Sequence, residues 1–251
     1  MPKSPSFSLV FLHYWAGSGR EWHAVVSALG LDYECLAPDL PGFGDAPPPA
    51  SLTVDAYADA VAQFVAERGL TEYLLVGHSM GGKIALALAS RRPVGLRGVA
   101  LLAPSPPTPE PMTDKARAEA QRAYGSPTAA AATFVRITAR PLPDAEQQQV
   151  LADNLRTSRA AWDAWLQHGS REDIAARMPL VQVPVLLLTG TADAAIPVQV
   201  QQSETLPYLP AGTTLHLIEG AGHLLPLEAP GEVALALHQF IAELSALPAL
   251  H

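Results

Sequence analysis

Tyr73-Leu74-Leu75-Val76-Gly77-His78-Ser79-Met80-Gly81-Gly82 is the stretch whose reading decides the fold. Its first four residues are apolar without alternation, as in a strand buried on both faces, and Gly82 to Arg91 continues with helical character. Between them lies a G-x-S-x-G pentapeptide, Gly77 to Gly81. A serine hydroxyl is a poor nucleophile. A sharp strand-to-helix turn lifts it clear of the sheet, where a base can reach it and backbone N–H groups can stabilise an oxyanion. Strand before, helix after and the extra Gly82 are what make the pentapeptide specific.

Working outward, further apolar runs occur at Ser8 to Leu12, Glu34 to Ala37, Val99 to Leu102, Val185 to Leu188 and Thr214 to Ile218. Helical periods fall between them at Glu21 to Leu29, Thr53 to Arg68, Met80 to Arg91, Val198 to Leu209 and Glu232 to Leu247. Such alternation predicts an α/β fold with a doubly wound, mostly parallel sheet and right-handed crossovers. Val54, Tyr57, Ala58, Val61, Phe64 and Val65 form one apolar stripe, read as core. The alternation stops between Pro104 and about Met178, where a proline-rich stretch leads into alanine-rich helical segments carrying Phe134, Trp162 and Trp165. The expected organisation is a core of residues 1–103 and 179–251, with residues 104–178 as an inserted helical cap. Pro104 to Pro111 would be a stiff connection between the layers, the alternative being a flexible linker. Pro47-Pro48-Pro49 is too short for a PxxP ligand.

Composition excludes several classes. A formal charge of -8 argues against a nucleic-acid partner, which requires Lys and Arg to displace counterions. No stretch reaches the roughly 18 continuous apolar residues of a membrane helix. The N-terminal region, with one lysine, Lys3, and the short run Leu9 to Leu12, does not read as a signal peptide, so a cytoplasmic location is expected. Cys35 is the only cysteine and falls in a strand-like stretch, where a small buried hydrophobe is its expected role. The histidines are scattered and no H-E-x-x-H, C-x-x-C or G-x-G-x-x-G occurs, so neither metal nor cofactor is expected.

A nucleophilic serine needs a base and an acid to orient it. His223, in Gly220-Ala221-Gly222-His223 after the last strand, is the best placed of eight histidines. His216 lies within a strand, His238 in the last helix, and the side chain of His78 should leave the turn away from Ser79. Asp193, in Gly190-Thr191-Ala192-Asp193, is the candidate acid; its competing reading is a helix cap. The strand before ends in Ala103-Pro104-Ser105-Pro106, without a carboxylate. Asp39 reads as a turn former near the site.

With Phe11-Leu12-His13-Tyr14-Trp15-Ala16-Gly17-Ser18 and Asp39-Leu40-Pro41-Gly42-Phe43-Gly44, these segments resemble the α/β-hydrolase family of serine hydrolases over nearly the entire chain. The resemblance implies Ser79 as nucleophile, His223 as general base and then acid, and Asp193 as its orienting partner. It also implies an oxyanion hole from the backbone N–H groups of Trp15 and Met80. The family commonly has His-Gly where this chain has His13-Tyr14. A tyrosine forced to positive φ costs of order 1–2 kcal/mol, so a different backbone path or a side chain with a purpose is expected.

Tyr14, Trp15, Met80, Phe134 and Trp162 are the candidate substrate-binding residues, the cap aromatics also being compatible with plain packing. Serine at position 79 disfavours dehalogenase and epoxide hydrolase chemistry, which resemblance associates with aspartate there. The expected activity is hydrolysis of a small or medium ester through an acyl-serine. Lactonase, perhydrolase or cofactor-free haloperoxidase, carbon-carbon hydrolase or hydroxynitrile lyase, and non-catalytic receptor are the alternatives. The expected partner is a small-molecule ester; the sequence does not fix an oligomeric state.

Overall fold

The computed structural model describes residues 7–48 and 51–246. Six parallel strands form one sheet in the order β2-β1-β3-β4-β5-β6. They are β1 (Ser8–Leu12), β2 (Glu34–Leu36), β3 (Tyr73–His78), β4 (Leu96–Leu102), β5 (Val185–Gly190) and β6 (Leu215–Ile218). Both faces are covered, which is why the strands read as unalternated runs. Val10, Leu75, Leu101 and Leu187 point to one face, against α2 (Val54–Glu67) and α3 (Met80–Ala89). Their neighbours Leu9, Phe11, Leu74, Val76, Leu102 and Leu188 point to the other, against α1 (His23–Leu29) and the C-terminal helix Pro230–Ala246.

The remaining helices in chain order are α4 (Asp114–Arg122), α5 (Pro127–Ile137), α6 (Asp144–Arg156) and α7 (Arg159–Gln167), all between β4 and β5. After them come the short α8 (Val198–Val200), α9 (Leu225–Glu228) and the C-terminal helix, α10. Thr113, Ser126 and Ser158 cap α4, α5 and α7 by accepting a hydrogen bond from the backbone N–H three residues on. This helical segment is tied to the sheet layer through Asp153, buried in α6, which accepts from Ser18 Oγ at 2.7 Å and from Arg20. The proline-rich stretch is held at several points: Lys83 Nζ donates to Thr108 O (3.1 Å), Gln201 Nε2 to Pro104 O (2.8 Å) and Ile174 N–H to Pro107 O (2.8 Å).

Two helical expectations differ from the structure. Val198 to Leu209 is not one helix: α8 passes into a π turn at Gln201–Thr205 and a 3₁₀ turn at Leu206–Tyr208. Pro207 lacks an N–H and its ring collides with a regular preceding turn, which ends the α ladder. The predicted Glu21 to Leu29 helix starts earlier, as a 3₁₀ turn at Gly19–Trp22 whose cap is the hydroxyl of Ser18. Lys3, Pro49 and the predicted helix end at Leu247 lie outside the described residues. Among the described residues no helix is long and apolar enough to cross a membrane.

The chain steps from β1 outward to β2 and then back past β1 to β3, so strand order reverses between β1 and β3. In open parallel sheets the crevice at such a reversal, beyond the carboxyl ends of the strands, is where ligands bind. Trp15 follows β1, Ser79 follows β3, Asp193 follows β5 and His223 follows β6. All four therefore gather beyond the carboxyl ends of the strands.

Candidate active site

Ser79 sits at φ 51°, ψ −115°, between the last residue of β3 and the first of α3. This backbone is held by crowding that only glycine tolerates. A Cβ on Gly77 would lie 2.5 Å from Gly81 O, and one on Gly81 would lie 2.3 Å from Leu12 O. The turn is pinned by Ser79 N–H to Leu102 O (3.0 Å), Gly82 N–H to Ser79 O (2.9 Å) and Ser105 N–H to Ser79 O (2.9 Å).

The three residues expected to work together are adjacent. Ser79 Oγ lies 3.0 Å from His223 Nε2, and His223 Nδ1 lies 2.8 Å from Asp193 Oδ2. One tautomer satisfies both bonds: Nδ1–H donates to Asp193, and Nε2 accepts from the serine hydroxyl. Asp193 Oδ1 accepts from Ala195 N–H (2.8 Å) and Ile196 N–H (2.9 Å), a local turn that fixes the carboxylate. The next helix, α8, has Pro197 at its N-cap position and no side-chain cap, so Asp193 is not its cap. Burial opposes the charged imidazole, but the Asp193 carboxylate, followed by Glu110 and Glu228, outweighs it and raises the His223 pKa above its ordinary 6.5. A hydroxyl, an imidazole and a carboxylate so arranged can pass a proton from the serine to the ring and back.

The His13-Tyr14 departure resolves through the backbone. Positive φ falls on Ala16 (65°) rather than Tyr14, and the turn closes through Gly17 N–H to Tyr14 O (3.1 Å). Tyr14 is buried, with its ring 5.4 Å from that of His78. His13 is fully buried; Nδ1–H donates to Tyr14 O (2.8 Å) and Nε2 accepts from Leu40 N–H (2.9 Å). Burial drives its pKa down to about 4, so the ring is neutral.

A cavity of about 170 Å³ opens over Ser79 and His223. Tyr14, Trp15, Phe134, Trp162 and Trp165 line it, with the Trp15 and Trp162 rings packed at a 45° tilt, 4.3 Å between centroids. The Met80 side chain departs from expectation: it is fully buried in the core against α2 and the sheet and does not line the cavity. As the first residue of α3 it points inward, and only its backbone faces the turn. Asp39 shapes a turn, its carboxylate accepting from Gly19 N–H (2.8 Å) and Asp45 N–H (2.7 Å). His216 is exposed on β6, and His238 packs on Tyr33 at 5.4 Å. Cys35 is half-buried rather than buried, because β2 is an edge strand, and burial pushes its thiol up to about 11.

The sequence reading passed over three groups. His78 turns away from Ser79 as expected but is not idle: its Nε2–H donates to the backbone carbonyl of His223 (2.8 Å) and its Nδ1 faces Glu21 Oε1 at 3.2 Å. Burial lowers the His78 pKa and raises that of Glu21, with their mutual attraction opposing both shifts. Glu110 is the one acid lining the cavity, and burial raises its pKa. Glu228 binds the His223 loop from behind. The G-x-S-x-G pattern located His78 without showing its partner; Glu21, Glu110 and Glu228 carry no motif that distinguishes them from surface acids.

Comparison with known proteins bears on the family and the fold. The sequence profile of the alpha/beta hydrolase family matches residues 9–237. A 2-succinyl-6-hydroxy-2,4-cyclohexadiene-1-carboxylate synthase of Enterobacter sp. (strain 638) is 30% identical over 246 residues, 93% of this chain and 91% of that protein. Among solved structures, a bacterial membrane phospholipase A described as a virulence factor superposes with a TM-score of 0.84 at 25% identity, covering 98% of this chain and 81% of that one. An esterase from Exiguobacterium antarcticum superposes with a TM-score of 0.87 at 20% identity, covering 95% and 93%, a likeness of fold.

Proposed function

This chain belongs to the alpha/beta hydrolase family, and on that premise we propose that it cleaves a small or medium, largely uncharged carboxylic ester through an acyl-serine intermediate. The observation that carries this reading is the unbroken relay Ser79–His223–Asp193 beneath an apolar cavity. In it, Ser79 Oγ attacks the ester carbonyl as His223 Nε2 takes the hydroxyl proton, and Asp193 stabilises the imidazolium. The oxyanion is held by the N–H groups of Trp15 and Met80; the latter, first in α3, has no acceptor within its own helix. The imidazolium then protonates the departing alcohol. Water, deprotonated by the same imidazole, releases the acid from Ser79.

Tyr14, Trp15, Phe134 and Trp162 take the apolar part of the substrate, with the helices between β4 and β5 as the cap over it. The cavity of about 170 Å³ is close in size to cavities of about 150 Å³ that accept benzene, so it suits a phenyl ring or a short acyl chain. Lactones are the nearest alternative substrates. The lone half-buried thiol suits a reducing compartment, and the reading assigns the cytoplasm.

A second reading is favoured by the 30% identity to the Enterobacter synthase: the same three residues would serve a reaction of that kind. The product for which that synthase is named contains a succinyl and a carboxylate group, both anionic. Against it stands Glu110 in the cavity wall; Arg136 also lines the cavity, but the buried cations Lys83 and Arg117 do not and donate to Thr108 O and Leu166 O.

The test is stopped-flow reaction with p-nitrophenyl acetate and butyrate, native chain against Ser79→Ala. A stoichiometric burst or steady turnover that falls by on the order of 10⁴-fold or more in the variant is expected. Equal slow release from both proteins would remove the ester reading and bring the synthase reading forward.

A further inference from the structure

One buried carboxylate gathers backbone donors from two separate segments. Glu228, the last residue of α9, accepts from Gly222 N–H (2.9 Å), Ala139 N–H (2.8 Å) and Arg140 N–H (2.8 Å) at Oε2, and from Leu224 N–H (3.0 Å) at Oε1. Gly222 and Leu224 flank His223. Ala139 and Arg140 follow α5, whose Phe134 and Ile137 line the cavity.

The seam is closed from the other side by His223 N–H donating to Ile137 O at 2.8 Å. There is no slack in it: a Cβ on Gly222 would lie 2.7 Å from Ile137 O and 2.8 Å from Ala139 N. Arg140 locks the outer edge, reaching Glu232, the Glu228 carbonyl and the Glu219 carbonyl. Without an acceptor at its centre, four N–H dipoles converge on one another in a buried space and push the segments apart.

We propose that Glu228 is a positioning residue that sets the imidazole of His223 and the α5 wall of the cavity in one common register, so that base and substrate pocket hold or lose their geometry together. The proposal rests on the reading of Ser79 and His223 as acyl-transfer machinery. Glutamine is the informative substitution. It is isosteric, but its NH₂ must face at least one of the four N–H groups, so a space-filling role predicts no change and an acceptor role predicts a large one.

The experiment is a double-mutant cycle on p-nitrophenyl butyrate, run well below the melting temperature of each variant. Glu228→Gln is expected to lower kcat by about 100-fold, the effect of displacing a reacting group by about 1 Å. In a His223→Ala background the same substitution should leave the residual rate within about threefold, because a residue acting through His223 has nothing left to act on. The far-downfield proton signal of the Asp193-bonded Nδ1–H should shift or broaden in Glu228→Gln. Unchanged kcat, or an equal loss in the His223→Ala background, would overturn the proposal. Should Glu228→Gln not fold, Gly222→Ala perturbs the same seam and is held to the same cycle. If Ser79→Ala leaves turnover intact, the ester reading has failed; the proton signal then tests Glu228 independently.

Discussion

Ser79 occupies a backbone conformation that costs an L-residue of order 1–3 kcal/mol, held in place by the close packing of Gly77 and Gly81 against backbone carbonyls. What it gains is a hydroxyl lifted clear of the sheet, 3.0 Å from His223 Nε2. In the proposed mechanism His223 must be neutral to accept that proton. Because Asp193 and the neighbouring acids hold its pKa above 6.5 against the pull of burial, kcat/KM for a neutral ester should rise with pH to a plateau, with its midpoint above 6.5. A pH–rate titration checks this; a rate flat between about pH 5 and 8 would remove His223 as the base.

At the scale of elements, the loop after β1 is built around a histidine that must remain uncharged. His13 satisfies both ring nitrogens while neutral, and its pKa is depressed to about 4. Below the unfolded value of 6.5 the unfolded chain takes up a proton that the folded chain refuses, so stability present at neutral pH is lost as pH falls from 6.5 toward 4. Between pH 7 and 5 this contributes a loss of about 2 kcal/mol. Urea unfolding midpoints across that range should show it, and His13→Gln should flatten the slope. The elements at this scale were legible wherever a residue's neighbours in sequence decide them: strand runs and the α2 stripe. The break at Gln201 to Tyr208 was written in Pro207, and the apolar period that suggested one helix spoke over it.

Across the whole molecule, charge around the cavity is the feature that bears on substrate choice. Glu110 lines a largely apolar wall; Arg136 also lines it, from an exposed position on α5, and the buried cations Lys83 and Arg117 face backbone carbonyls. The ester reading therefore predicts that p-nitrophenyl hydrogen succinate is a poorer substrate than the neutral butyrate, and that Glu110→Gln recovers about tenfold of kcat/KM on the anionic ester alone. Equal recovery on both esters would show that Glu110 acts on something other than substrate charge. The order of strands and helices, and the three loops bearing Ser79, Asp193 and His223, were determined by sequence alone. Buried parallel strands need continuous apolar runs, and a nucleophile turn needs glycines at set positions. Tertiary structure alone decided that Met80 faces the core, that positive φ falls on Ala16, that Glu21 and Glu228 are buried at the site and that Glu110 lines the cavity. Their significance arises from donors and cavities contributed by segments up to 89 residues away, and no local pattern in a chain encodes a partner so distant.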